Sequence, residues 1–353
     1  MSDFSESDFL SEEVLEQQRS KLVEGQGQNP SENRFMYRFS VEKRKWSKHT
    51  VDTKLPPTNT KTFAIATWNV DFSRGYLAKR LMTSLDHLQS LIEPLLVGDP
   101  PIPTIILIQE LDDSLFRTLL QHPFVQKHYD LTDISSASWR IHYGTVTLAP
   151  RSLEVTSAFR TIFKSSRMGR DALFIDVSFP SEDTDDVRGD PRVIRVANVH
   201  LESLDGHGDI ERPRQLEVVS SRLSEPGLHG GIVGGDMNPI GPRDDAVPGE
   251  LGFVDGWTLC HDKQADNDTV EGVTATTPEE VKRRNAEGHT WGYQPPSRYP
   301  PRRMDKVLFV GNVTVKKIER FGVGLAVDPS KIKGKSTVWA SDHYGLLATF
   351  EIV

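Results

Sequence analysis

From Lys61 to the C-terminus, short apolar runs alternate with charged, proline-containing or glycine-containing breaks. The runs Phe63 to Val70, Thr104 to Ile108, Thr145 to Leu148, Ala172 to Val177, Val193 to Val199, Ile232 to Val233, Val307 to Val310 and Leu346 to Val353 have the length and residue types of β-strands. Between the first two, Leu77, Leu81, Leu85, Leu88, Ile92 and Leu96 recur every three or four residues and predict a helix with one face on the core. Leu115, Phe116, Leu119 and Leu120 predict a second helix after Asp113. A third is predicted to start near Pro213, whose ring is tolerated in a first turn, and to run through Leu216 to Leu223. Hairpin-like strand pairs interleaved with helices predict an α/β fold: two mixed, mainly antiparallel sheets packed face to face and flanked by helices.

Upstream the pattern changes. Phe35, Tyr37, Phe39 and Val41 alternate with polar residues and, with Trp46, predict a hairpin ahead of a Pro56-Pro57 linker. Residues 1–33 are rich in Ser, Glu, Gln and Asn and predict a disordered or helical tail, with Ser11 to Val14 as a possible helix start. The expected division is a tail over 1–33, hairpin and linker over 34–60, and the main domain over 61–353. Pro180 to Pro191 reads as a solvated acidic turn, and 262–289 as a long polar loop with one helical turn at Thr277 to Arg284.

Composition narrows the chemistry. The single cysteine, Cys260, excludes an internal disulfide or thiolate zinc cluster, so any metal must be held by oxygen and nitrogen, which favours Mg²⁺ or Mn²⁺. A net charge of -8 argues against a protein that coats nucleic acid generally but permits a local groove. No apolar run approaches the roughly 20 residues of a membrane span, and Met1 to Leu10 lack a secretory pattern. A monomer of the nucleus or cytoplasm, neither secreted nor membrane-bound, is expected.

Polar groups gather where the predicted strands end. The first ends Thr67-Trp68-Asn69-Val70-Asp71, the second Gln109-Glu110; later come His200-Leu201-Glu202-Ser203, Gly234-Gly235-Asp236-Met237-Asn238, Asp305 and Ser341-Asp342-His343. Singly, each has an ordinary explanation as a satisfied core histidine, an Asx turn or a capping pair. Together they predict one site. A phosphodiester resists attack because it is anionic, so its hydrolysis needs a cation, an oriented water and donors for the phosphoryl oxygens. Glu110, with Asp71 or Asp342, would ligate Mg²⁺. Asp236, held by Asn69, is the candidate general base. Asn238 and His200, the latter as an imidazolium, would donate to the phosphoryl oxygens. Asp305 would pair with His343 and keep it protonated.

These motifs, in this order, resemble the endonuclease/exonuclease/phosphatase superfamily from about Thr62 to Val353. The resemblance implies a four-layer α/β sandwich and Mg²⁺-dependent hydrolysis by an activated water. Within it, His200-Leu201-Glu202-Ser203, Gly206-His207, Glu211-Arg212 with Gln215-Leu216, Thr290-Trp291 and Ser341 to Leu346 are most similar to the 5′-tyrosyl-DNA phosphodiesterases. That similarity implies DNA 5′ ends carrying a tyrosine or peptide adduct as partners. By it, Asp71 and Glu110 match metal ligands, Asp236 the general base and His343 a transition-state contact. Tyr143 and Trp291 match positions lining the DNA end, Ser203 one beside the phosphate and Arg243 a substrate-binding arginine. The loop Gln294 to Arg303, with Arg298, Tyr299, Arg302 and Arg303, offers charge and flat surfaces for a strand. The chain departs from the pattern at Gly292, where an Asp is usual, and at Met304.

Overall fold

The computed structural model describes residues 29–49, 61–180, 191–267, 286–332 and 336–353, without the side chains of 262–267. The tail to residue 28, the Pro56-Pro57 linker, residues 181–190 of the acidic turn and the turn at Thr277 to Arg284 lie outside the described residues.

Two sheets carry the fold. The seven-stranded sheet has the order β1 (Ser31–Asn33), β8 (Glu154–Ile162), β9 (Asp171–Phe179), β10 (Arg192–His200), β11 (Gly230–Asp236), β13 (Asp305–Gly311), β12 (Val254–Asp255). The eight-stranded sheet runs β14 (Val313–Phe321), β15 (Gly345–Ile352), β4 (Thr62–Asn69), β5 (Thr104–Asp112), β7 (Tyr143–Pro150), β6 (Tyr129–Leu131), β2 (Met36–Ser40), β3 (Lys45–His49). Among the described residues only the neighbours β4/β5 and β10/β11 are parallel. A parallel pair needs a crossover long enough to return the chain to its starting edge. Helix α1 (Leu77–Val97) supplies it in one sheet and α4 (His207–Leu223) in the other. Between α1 and α4 the chain forms α2 (Phe116–Gln121) and α3 (Pro123–His128).

Alternation along the central strands sorts the apolar residues into layers. Phe63, Ile65, Ile105, Leu107, Ile175, Val196, Ile232 and Phe350 fill the space between the sheets. Ala66, Trp68, Ile106 and Ile108 point the other way, onto Leu81, Leu85, Leu88 and Ile92 of α1. Phe174, Ala197, Val199 and Val233 meet Leu216, Val219 and Leu223 of α4. The result is the expected four-layer sandwich. Towards one end the inter-sheet layer turns polar. There Gln109 donates from Nε2 to Asn198 Oδ1 (2.8 Å) and Thr67 Oγ1 (3.0 Å), tying the sheets together by hydrogen bonds.

The third helix corrects the sequence reading: it begins at His207, so Pro213 lies inside it rather than in its first turn. Asp209 stabilises this earlier start by accepting from the Gly206 amide (2.8 Å). Strands β8 and β14 were not legible, because β14 is an edge strand whose charged residues break the alternation (Lys316, Lys317, Glu319) and β8 carries the buried Arg160. In the first hairpin Met36 is the buried residue, while Phe35 and Val41 are exposed. The hairpin joins the eight-stranded sheet through β2 and β6. Among the described residues no helix is long and apolar enough to cross a membrane.

Gly235 carries a steric demand of the fold. Its φ is +148°, and a Cβ there would stand 1.9 Å from the Val199 carbonyl oxygen on the neighbouring strand. We expect Gly235→Ala to cost about 3 kcal/mol or more, lowering the melting temperature in a thermal unfolding scan. Gly249→Ala, where nothing stands within 4 Å, should change it by less than about 1 kcal/mol.

Candidate active site

The C-terminal ends of both parallel strand pairs open at the same edge, and β13 starts there antiparallel to β11, with Asp305 opposite Asp236. Three residues with left-handed backbone meet there: Asp71, Glu110 and Asn238 have φ of +55°, +57° and +47°, a conformation that Asp and Asn tolerate and that is uncommon for a glutamate.

Asn69 links the two sheets. Its Nδ2 donates to Glu110 Oε1 (2.9 Å) on its own sheet and to Asp236 Oδ2 (3.0 Å) on the other. Its Oδ1 accepts from the Asp71 amide (2.9 Å), and its carbonyl from Ser341 Oγ (2.6 Å). Ser341 Oγ in turn accepts from the His343 amide (3.0 Å), which draws the last motif in. His200 Nε2 lies 3.5 Å from Asp236 and 3.7 Å from Glu110; His343 Nε2 lies 3.8 Å from Asp236 and 3.9 Å from Asp342. His343 Nδ1 meets Asp305 Oδ2 at 2.8 Å. Asn238 donates its amide to Asp236 Oδ1 (3.0 Å) and Nδ2 to Leu201 O (3.1 Å), and accepts from Ser203 Oγ (3.2 Å). Trp291 donates from Nε1 to Asp342 (3.2 Å), and the Tyr143 ring centroid lies 6.4 Å from that of His200.

The structure thus brings together Asn69, Glu110, His200, Asp236, Asn238, Asp305, Asp342 and His343, with Ser203, Tyr143 and Trp291 around them. Two residues depart from the sequence reading. Asp71 is 2% exposed, and both its oxygens are engaged: Oδ2 by Arg80 (2.7 Å) and Arg74 (3.1 Å), Oδ1 by the amide (2.9 Å) and hydroxyl (2.6 Å) of Ser73. It therefore anchors arginines rather than offering an oxygen to the gap between Glu110 and Asp236. Arg243 pairs with Glu250 (3.1 Å) on the surface, and among the described residues no hydrogen bond or ion pair joins it to the cluster.

His200 is a third departure, in its charge state. Arg170 donates from a terminal nitrogen to His200 Nδ1 (2.6 Å), and a guanidinium can only donate. Nδ1 is therefore the unprotonated nitrogen and Nε2 carries the hydrogen. Burial lowers the His200 pKa well below its usual value, and Arg170 and His343 push it the same way. His200 is a neutral donor, not the expected imidazolium. His343 is the opposite case. Burial alone would lower its pKa, but the Asp305 and Asp236 carboxylates outweigh it and raise it well above the usual range.

Sequence reasoning missed Arg170, and the structure shows how it is held. It sits on the turn between β8 and β9, also packing 5.4 Å over the Tyr143 ring, which stacks on Phe72 at 3.8 Å. Glu202 fixes that turn by accepting from the amides of Arg167 (2.9 Å) and Met168 (3.2 Å) and the hydroxyl of Ser166 (2.6 Å). Gln215 secures Glu202 (3.0 Å), and Glu211 accepts from Ser165. The Glu202, Glu211 and Gln215 motif therefore acts as a scaffold for Arg170. Gly292 has an equally local reason: its φ is +104°, and a Cβ would meet Pro301 Cα at 2.8 Å. Met304 is buried, and its carbonyl accepts from the Met237 amide (2.9 Å). In the Gln294 to Arg303 loop, Arg303 is committed to Asp255 (2.7 Å), leaving Arg298 and Tyr299 exposed.

Residues 66–343 match the Endonuclease/Exonuclease/phosphatase family. The chain belongs to that family. Solved structures of endonuclease/exonuclease/phosphatase proteins carry the same fold. TDP2 from Caenorhabditis elegans has TM-score 0.56 and 20% identity over 82% of this chain and 74% of that one. Danio rerio TDP2, complexed with a single strand DNA product, has 0.57 and 21% over 82% and 99%. A family protein from Bacteroides vulgatus has 0.54 and 15% over 83% and 99%. No curated protein matches the sequence.

The donor set fits a hard divalent cation. With His200 Nε2 protonated, the groups free to ligate around Glu110 are carboxylate oxygens, as Mg²⁺ prefers. Burial raises the pKa of Glu110 and of Asp342, and neighbouring carboxylates add to both shifts. Asp236 is pushed up to about 7, by burial first, then by Asp305 and Glu110, against the opposing effect of His343. A carboxyl whose folded pKa lies above its unfolded value holds its proton more tightly in the folded chain, so stability falls as pH rises across that interval. Asp236→Asn should therefore raise the melting temperature of the metal-free protein, by more at pH 8 than at pH 5. Thermal scans at the two pH values, with and without Mg²⁺, test this; an equal gain at both would remove Asp236 as the source.

Proposed function

We propose that this protein is a divalent-metal-dependent phosphodiesterase that hydrolyses the link between a tyrosine and a DNA 5′-phosphate, clearing topoisomerase remnants from DNA ends. The observation that carries the reaction class is the convergence of Glu110, Asp236, His200 and His343 around one gap, with Asn69 fixing the two carboxylates. Glu110, with Asp342 beyond it, would hold Mg²⁺, Mn²⁺ being the alternative. When bound, the cation neutralises charge that builds on the phosphoryl oxygens.

The chain's own residues divide the remaining work. Asp236, with a pKa near 7, suits a base that must take a proton from water at neutral pH. As the water oxygen bonds to phosphorus and the bond to the tyrosine oxygen breaks, three donors face the phosphoryl oxygens. They are protonated His343, oriented by Asp305, the Nε2 hydrogen of His200, and the Asn238 amide hydrogen that Leu201 leaves free. Phe72 and Trp291 offer flat surfaces beside the gap, Tyr143 backs Phe72, and Arg170 adds positive charge from behind Tyr143. That combination suits a frayed single-stranded end. The single-strand product bound by the zebrafish relative supports the same substrate class.

The test is Mg²⁺-dependent cleavage of a 5′-phosphotyrosyl oligonucleotide, leaving a 5′-phosphate. Glu110→Gln should reduce the rate on the order of a thousandfold. Cleavage instead of abasic DNA, RNA or a small phosphorylated molecule would keep the reaction and replace the substrate. Full turnover by Glu110→Gln would sink the metal assignment.

A further inference from the structure

We infer that Arg74 binds a substrate phosphate next to the scissile one, so that the site prefers a strand to a single phosphodiester; this rests on the nucleic-acid reading above. Asp71 holds two arginines but needs only one. Arg80, with a side chain 2% exposed, lies 2.7 Å from Oδ2 and also donates to the carbonyls of Asp71 (2.9 Å) and Trp339 (2.9 Å), so it is fixed in place. Arg74 reaches the same oxygen at 3.1 Å with a side chain 48% exposed, and its other partner, Asp342, is 3.8 Å away. The arginine end of this pair is open to solvent and the buried carboxylate has other partners, so Arg74 adds little to stability. If Arg74 leaves, Asp71 keeps Arg80 and both Ser73 donors, so no buried charge is stranded.

Arg74 is thus a cation parked at the mouth, with little to hold it there. Its position fits a flanking phosphate rather than the reacting one. The reacting centre is ringed by Glu110, Asp236, His200 and His343, and Arg74 stands one carboxylate further out, behind Asp342. A guanidinium can exchange a carboxylate for a phosphate because both present paired oxygens to its planar donors.

The measurement compares wild type with Arg74→Gln and Arg74→Lys on a 5′-phosphotyrosyl oligonucleotide and on the p-nitrophenyl ester of thymidine 5′-phosphate, which has one phosphorus. Arg74→Gln should raise KM for the oligonucleotide about fivefold to tenfold more than for the mononucleotide, with Lys intermediate. The slope of log affinity against log salt for a 5′-phosphorylated single strand, read by fluorescence anisotropy in Mg²⁺, should fall by about 0.7. Equal losses on both substrates, or an unchanged slope, would overturn the inference. The anisotropy arm needs no turnover. Wild-type binding without cleavage would therefore count against the proposed reaction and not against Arg74, whereas binding insensitive to Arg74→Gln would count against Arg74 alone.

Discussion

One amide holds the two halves of the site together. Asn69 has two N–H donors on Nδ2, and they go to carboxylates from different sheets, Glu110 at 2.9 Å and Asp236 at 3.0 Å. Two buried anions brought this close repel each other, and burial already raises the pKa of both. A cationic bridge would neutralise the gap and leave no need for a metal. A neutral amide fixes the geometry and leaves the negative charge in place, where a divalent ion can use it. Because Oδ1 and the carbonyl of Asn69 are also engaged, by Asp71 and Ser341, the side chain has no other rotamer that keeps its bonds. The left-handed backbone at Asp71 and Glu110 is held against this pin.

The architecture places Asn69 where it can do this. Each sheet contains one parallel pair, and a helix crosses over between its members. Four strands therefore end at one edge. Elsewhere the neighbours are antiparallel; some are joined by short turns, as β8 to β9 across 163–170, and others by long excursions, as β11 to β13 across 237–304. The cross-sheet bonds of Gln109 and Asn198 lie just inside the site and limit any sliding of one sheet over the other. Since one residue of slip would turn each side chain to the opposite face, sheet register and catalytic geometry are the same constraint.

This explains which features could be read from the sequence. Strand-end motifs were legible because an apolar run followed by Asn, Glu, His or Asp is a local pattern, and the family's motifs recur in a fixed order. The helix at Leu77 to Val97 was legible from its periodicity. Through-space choices were not. Nothing near Asp71 in the sequence says that its oxygens go to Arg80 and Arg74, and an arginine after Gly169 looks like any surface arginine until Glu202 and Gln215 fold the turn that carries it. The charge state of His200 follows from Arg170, so missing the one meant misassigning the other. Pro213 misled for a related reason: proline is favoured in a first turn, but the Asp209 cap fixed the start earlier.

The paired histidines show how one residue type takes two protonation states within a single site. Both are buried, and burial alone would make both neutral. His200 has an arginine at Nδ1, so the local field reinforces desolvation. His343 has Asp305 there, so the field reverses it. Each partner also dictates what Nε2 carries towards the gap, a neutral donor from one side and a charged donor from the other. Exchanging the two partners would leave the side chains in place but reverse the charge offered from each side. The division of work between the histidines is therefore set by Arg170 and Asp305, neither of which lies in the gap itself. A chain of net charge -8 can still present donors to an anion: the Nε2 groups of His343 and His200 both approach the gap between Glu110 and Asp236, where a divalent cation would offset the surrounding carboxylates, and beyond about 8–10 Å the acidic surface is screened.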